Sequence, residues 1–110
     1  MARRQRYRVR WTRAADQDLE SIVDFIARDN IGIAVQVLNK LRKAASKLET
    51  LPERGRIVPE LADFGVRIYR EILCPPWRII YRISDRNLFV MAVVDCRRNV
   101  EDILLERLTR

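Results

Sequence analysis

The hydrophobic period of this chain changes once, and that change limits the folds open to it. Before Pro52 the apolar residues recur at steps of three and four: Ala15, Leu19, Ile22, Val23 and Ile26, then Ala34, Val37, Leu41, Ala44, Leu48 and Leu51. Each set forms one stripe of an amphipathic helix. Asn30 and Gly32 interrupt the two stripes over a connection so short that the helices must fold back as an antiparallel hairpin. After Gly65 the period becomes two. Val66–Leu73, Trp77–Ile83 and Leu88–Val94 read as strands, joined by turns at Cys74-Pro75-Pro76 and Ser84-Asp85-Arg86-Asn87.

The remaining segments complete the order. Tyr7, Val9 and Trp11 alternate with Arg8 and Arg10, which predicts an N-terminal strand. Thr12 supplies an N-cap hydroxyl for the first helix, with Asp16 and Asp18 near its positive end. Pro52–Gly65 reads as a loop. Asn99 caps a final helix carrying Ile103, Leu104 and Leu108. The expected fold is therefore α+β in the order β-α-α-β-β-β-α, a helical hairpin on a small, mostly antiparallel sheet. At 110 residues and 48% apolar, one domain over residues 1–110 is expected, with no linker or repeat.

Charge narrows the partners. The formal net charge is +7, and 19 of the 22 basic residues are arginines. A biased base composition accounts for such an excess, and so does an anionic partner, since guanidinium forks bind phosphate and carboxylate bidentately. With no histidine there is no imidazole acid, base or metal ligand. Cys74 and Cys96 are too few for a disulfide framework or a zinc cluster. No cofactor or metal is expected. The apolar runs are too short to cross a membrane and no secretory signal is apparent, so a cytoplasmic setting is the default.

Several local patterns occur together in this order. Ala15, Asp18-Leu19 and Ile22 open the first helix, and Leu48, Leu51-Pro52 and Gly55-Arg56 close the second. Pro59-Glu60-Leu61, Tyr69-Arg70-Glu71-Ile72, Trp77-Arg78-Ile79-Ile80-Tyr81-Arg82 and Val94-Asp95-Cys96-Arg97-Arg98 follow. The chain thereby resembles the RelE/ParE superfamily of type II toxin–antitoxin toxins, from Val9 to about Leu108. The resemblance implies a growth-inhibiting toxin of a plasmid-stabilisation type of module, neutralised by a cognate antitoxin that wraps around it. It also admits a toxin dimer or a heterotetramer through the antitoxin.

Two branches of that superfamily remain open. In the RelE branch the toxin cleaves messenger RNA on the ribosome. The resemblance then implies that Arg70, Arg78 and Arg98 converge around the scissile phosphate. Leu104 stands where that branch has a tyrosine, and Ile72 where it has a lysine, so Tyr81, Glu71 or Asp95 would have to serve as acid or base. In the ParE branch the toxin poisons DNA gyrase without being a nuclease. The long hairpin and the loop bearing Arg54 and Arg56 look more like that side, and target contacts would fall on Arg54, Arg56 and Arg97.

Each of these residues also has a plainer reading. Tyr81 alternates with Ile79 and Ile83 and suits the core, as does Trp77. Cys96 is read as an inert small residue, although Arg97 beside it would favour a thiolate. Arg70 is opposite in phase to Tyr69 and can pair with a carboxylate on an open sheet face. The six arginines from Arg3 to Arg13, with no acid among them, form either a solvated strand face or a phosphate contact strip.

Overall fold

Strand β1 (Arg8–Trp11) turns Val9 and Trp11 inward and leaves Arg8 and Arg10 exposed, the alternation expected of a half-buried strand. The structure, a computed structural model, describes residues 6–108. Arg3 and Arg4 of the N-terminal cluster lie outside the described residues. Thr12 ends β1 and caps α1 (Arg13–Ala27), its hydroxyl accepting from the Ala15 amide at 3.2 Å and donating to the Val90 carbonyl at 2.8 Å. Asn30 caps α2 (Ile31–Ser46) in the same way, accepting from Ile33 N. Ala34, Leu41 and Ala45 are the buried residues of α2. A 3-10 turn over Lys47–Glu49 follows. Its tighter winding carries the chain off the helical stripe, so Leu48 is buried while Leu51 is exposed, contrary to the expected stripe.

The segment expected to be a loop holds two short elements, β2 (Arg56–Ile57) and α3 (Pro59–Ala62). Pro59 suits the first turn of a helix, where no amide hydrogen is required. Gly65 then takes φ +81°, and Val66 N donates back to Leu61 O at 2.9 Å. These bonds hold Val66 outside the sheet, so β3 begins at Tyr69 (Tyr69–Cys74), three residues later than the alternation suggests. β4 (Trp77–Ser84), β5 (Asn87–Asp95) and α4 (Val100–Leu108) complete the chain. Asn99 Oδ1 accepts from the Glu101 and Asp102 amides at the start of α4.

The five strands form one sheet in the order β1-β5-β4-β3-β2, with β1 parallel to β5 and every other pair antiparallel. Two apolar layers result. On one face Leu19, Leu41, Ala45 and Leu48 of the hairpin pack on Ile79, Tyr81, Val90 and Val93. On the other, Val58, Leu61, Val100 and Leu104 pack on Tyr69, Ile80, Ala92 and Val94. The register jumps between Ile80, opposite Ala92, and Tyr81, opposite Val90, leaving Met91 as the extra residue of a bulge.

Beyond Val90 the side of β5 away from β4 has no neighbouring strand among the described residues, and that edge is closed by side chains. Asp18 of α1 accepts from Val93 N at 2.9 Å, while Arg107 of α4 donates to Met91 O at 2.7 Å. No helix among the described residues is long and apolar enough to cross a membrane.

Candidate functional site

The loop after the hairpin is seated on the sheet from both faces. On the hairpin side Tyr81 is fully buried, and its hydroxyl donates to Pro52 O at 2.7 Å and accepts from Gly55 N at 3.0 Å. Arg70, opposite Tyr81 in the register, donates to Gly55 O at 2.8 Å. A side chain cannot be added at Gly55, because a Cβ there would stand 2.6 Å from both Glu71 O and the Tyr81 hydroxyl. Burial pushes the Tyr81 phenol up, so it is neutral near pH 7 and both its hydrogen-bonding directions are in use.

On the opposite face Arg78 is 6% exposed and spends its guanidinium on two carboxylates. It makes a two-pronged pair with Glu60 at 2.6 and 2.8 Å, and donates from Nε and Nη2 to the buried Glu71. Arg56 closes the cluster with a 2.7 Å bond to the other Glu71 oxygen. Arg78 holds the Glu60 carboxyl below the ordinary carboxylate range, and Glu60 in turn raises the guanidinium. This network ties α3 and β2 to the middle of the sheet.

The third group lies after β5. Arg97 pairs with Asp95 on the surface, at 3.1 Å from Nε and 3.3 Å from Nη2, and lowers that carboxyl. Arg98 is exposed and lines a cleft of about 450 Å³ together with Asp18, Trp77, Asp95 and Arg107. Arg54 is exposed at the rim of the seated loop, and among the described residues it makes no ion pair. Cys96 is exposed and free.

The expected convergence of Arg70, Arg78 and Arg98 is therefore not found. Arg70 faces the hairpin with Tyr81, whereas Arg78, opposite Val94, faces α4. The reason is parity: β3 and β4 pair so that Arg70 and Arg78 fall in opposite pleats, and a sheet separates them. Glu60 was not singled out by the sequence, although it lies in the same short helix as Leu61, which is packed into the second core. Its value to Arg78 depends on α3, which the proline and glycine spacing hid.

An apolar groove opens between α3 and α4. It is lined by Leu61, Phe64, Val66, Tyr69, Leu104 and Leu105, of which Phe64 and Leu105 are 71% and 63% exposed. Leu104, which stands where the RelE branch has a tyrosine, is buried in the second core. Among the described residues no three His, Cys, Asp or Glu side chains are placed to hold a metal ion.

Residues 9–100 match the family model described as ParE toxin of type II toxin–antitoxin system, parDE. The chain belongs to the ParE toxin family. It is thus a toxin of the RelE/ParE superfamily of type II toxin–antitoxin systems. Among curated proteins it is similar to Toxin ParE3 of Caulobacter vibrioides, with 26% identity over 98 residues covering 84% of this chain and 90% of the relative. Among solved structures, the chromosomal ParDE system of P. aeruginosa superposes with a TM-score of 0.67 at 17% identity, over 81% of this chain and 95% of that one. The RelBE2 toxin–antitoxin complex of Mycobacterium tuberculosis does so with a TM-score of 0.57 at 22% identity, over 86% and 97%. Both likenesses concern the fold. In this ParE-family toxin, the hairpin and the five-stranded sheet are the shared frame.

Proposed function

We propose that this ParE-family toxin inhibits DNA gyrase by binding it, without cleaving nucleic acid, and is neutralised by a cognate antitoxin. The observation that carries the reading is the double engagement of Arg78 by Glu60 and Glu71. A guanidinium already paired with two carboxylates has no free fork for a scissile phosphate. Tyr81 supports the same reading, since its hydroxyl holds the loop and its raised pKa disfavours the phenolate a base would need. Among the described residues Arg54 and Arg98 form no ion pair, and these, with Arg56 and Arg97 at the surface, are the target contacts we favour.

An antitoxin segment would cover the groove between α3 and α4, where Phe64 and Leu105 present apolar surface to solvent. The solved neighbours are described as toxin–antitoxin systems, which supports such a partner. The reading implies a cytoplasmic protein acting where gyrase acts.

The test is expression of the chain without its antitoxin, followed by a supercoiling assay with purified gyrase. Loss of supercoiling together with DNA-damage signalling is expected. Full supercoiling at saturating toxin, with cuts in translated messages that Arg78→Ala and Arg98→Ala abolish, would instead establish a RelE-like mRNA endoribonuclease built on Arg70, Arg78, Arg98 and Tyr81.

A further inference from the structure

The face of the sheet opposite the hairpin is covered only in part. Val100 and Leu104 of α4 pack over Ile80, Ala92 and Val94, toward one end of β4 and β5. The other end carries a different set of side chains. Arg10, Phe89, Arg82 and Tyr69 are successive partners across four strands, and Arg8, Asn87 and Ser84 form the next row. Arg8 and Arg10 are exposed, while Phe89, Arg82, Asn87 and Ser84 are half-buried. The Arg82 guanidinium lies over the Phe89 ring, 5.1 Å from its centroid. Arg10 donates from Nε to Asn87 Oδ1 at 2.9 Å, a bond that does not occupy its terminal nitrogens, and the residue is exposed.

No carboxylate among the described residues forms an ion pair with Arg8, Arg10 or Arg82. The other arginines of this face of the sheet differ: Arg78 and Arg56 are both paired with Glu71. Three unpaired guanidiniums on one pleat repel one another, and an anion relieves that repulsion.

We propose that this row is a binding platform for single-stranded nucleic acid, separate from Arg70, Arg78 and Arg98 and independent of the toxin's cellular target. Arg8 and Arg10 recur at about 6.6 Å along β1, two residues of strand rise, and Arg82 stands about 10 Å across the sheet. Their forks grip backbone phosphates bidentately, while the Phe89–Arg82 stack offers flat surfaces on which bases lie. An acidic protein segment fits less well. Protein interfaces anchor on apolar side chains at their centre, and Arg8, Arg10, Asn87, Ser84 and Arg82 surround a single ring.

The experiment measures fluorescence anisotropy of a labelled 20-nucleotide oligo(dT) with the full 110-residue chain. Three phosphate contacts give a log–log salt slope of about −2, so affinity should fall about 20-fold between 50 and 200 mM salt. The double variant Arg8→Glu/Arg10→Glu changes only exposed strand positions, and it should flatten that slope to shallower than about −1. Phe89→Ala should weaken binding severalfold with the slope unchanged, because stacking releases no counterions. An unaltered slope in Arg8→Glu/Arg10→Glu removes the platform from this face. Tighter binding of a duplex, or of a poly-glutamate peptide, than of oligo(dT) overturns the choice of ligand.

Discussion

Arg107 reaches back 89 residues to grip Asp18, with its two terminal nitrogens 2.9 and 2.7 Å from the two carboxylate oxygens. The pair does more than join α4 to α1. Asp18 also accepts from Val93 N and Arg107 donates to Met91 O, so together they close the part of the β5 edge that β1 does not reach. Both side chains are about four-fifths buried, with 19% and 20% exposed, which keeps the interaction from being screened as an open surface pair is. Asp18→Ala should lower the unfolding free energy by about 2 kcal/mol, the scale of a charged hydrogen bond lost at a partly buried site. Urea denaturation checks this. A change within 0.5 kcal/mol, the range of ordinary surface substitutions, would mean that the edge is closed some other way.

Gly55 sets the height of the loop above the sheet. Gly55→Ala should destabilise by about 2–3 kcal/mol, the range of overpacking in a filled interior. The obstacle includes the Glu71 carbonyl, which belongs to β3 and cannot swing aside as a side chain does. Tyr81→Phe removes the opposite half of the same contact and should cost about 1–3 kcal/mol by leaving Gly55 N and Pro52 O without a partner. Thermal melts of both variants test the prediction. Wild-type stability in either variant would show the loop to be unseated in solution.

Arg78 and Glu71 should prove asymmetric to mutation. Arg78→Ala leaves the fully buried Glu71 carboxylate facing only Arg56, and should cost about 3–5 kcal/mol, as breaking a buried pair does. Arg78→Met combined with Glu71→Leu should recover most of that loss, because apolar isosteres need no ion pair. If the double variant keeps its growth inhibition, Arg78 serves structure. If it folds at wild-type stability yet inhibits nothing, Arg78 is needed for the target.

Acid should loosen α3 before the rest of the fold. Arg78 holds the Glu60 carboxyl below its ordinary 4.5, so the folded state favours the ionised form. The stabilisation is complete above about pH 5.5 and disappears as the pH falls through 4.5 toward the folded value. Glu60→Gln lacks this contribution at every pH. Its melting temperature should therefore sit below wild type at pH 7, and the gap should narrow as the pH falls below 4.5. A constant gap across that range would place the acid response elsewhere.

The hairpin and the meander were legible because their signals are local. Thr12 caps the first helix as its side chain suggests, Asn30 breaks the helical pattern where it also proves to cap α2, and the alternation through Trp77–Ile83 marks β4. The loop elements were hidden for an equally local reason. β2 has two residues and α3 has four, too few for any period to show, and both are held by distant groups such as Glu71 and Arg78. Residues 66–68 carry an alternating pattern but stay out of the sheet, because Gly65 turns the chain and Leu61 takes the Val66 amide.

The sequence by itself determined the two helices of the hairpin, the N-terminal strand, the three-stranded meander and the final helix, and that the chain is basic through arginine. Backbone propensity and side-chain period act over a few residues, and a single chain displays them. Only the tertiary structure decided which arginines are available. Pairing register put Arg70 and Arg78 in opposite pleats, the fold delivered Glu60 and Glu71 to Arg78, and it left Arg8, Arg10 and Arg82 without carboxylates on one open face. The charge of a guanidinium is written in the sequence, but its freedom to meet a phosphate depends on what the fold has already placed against it.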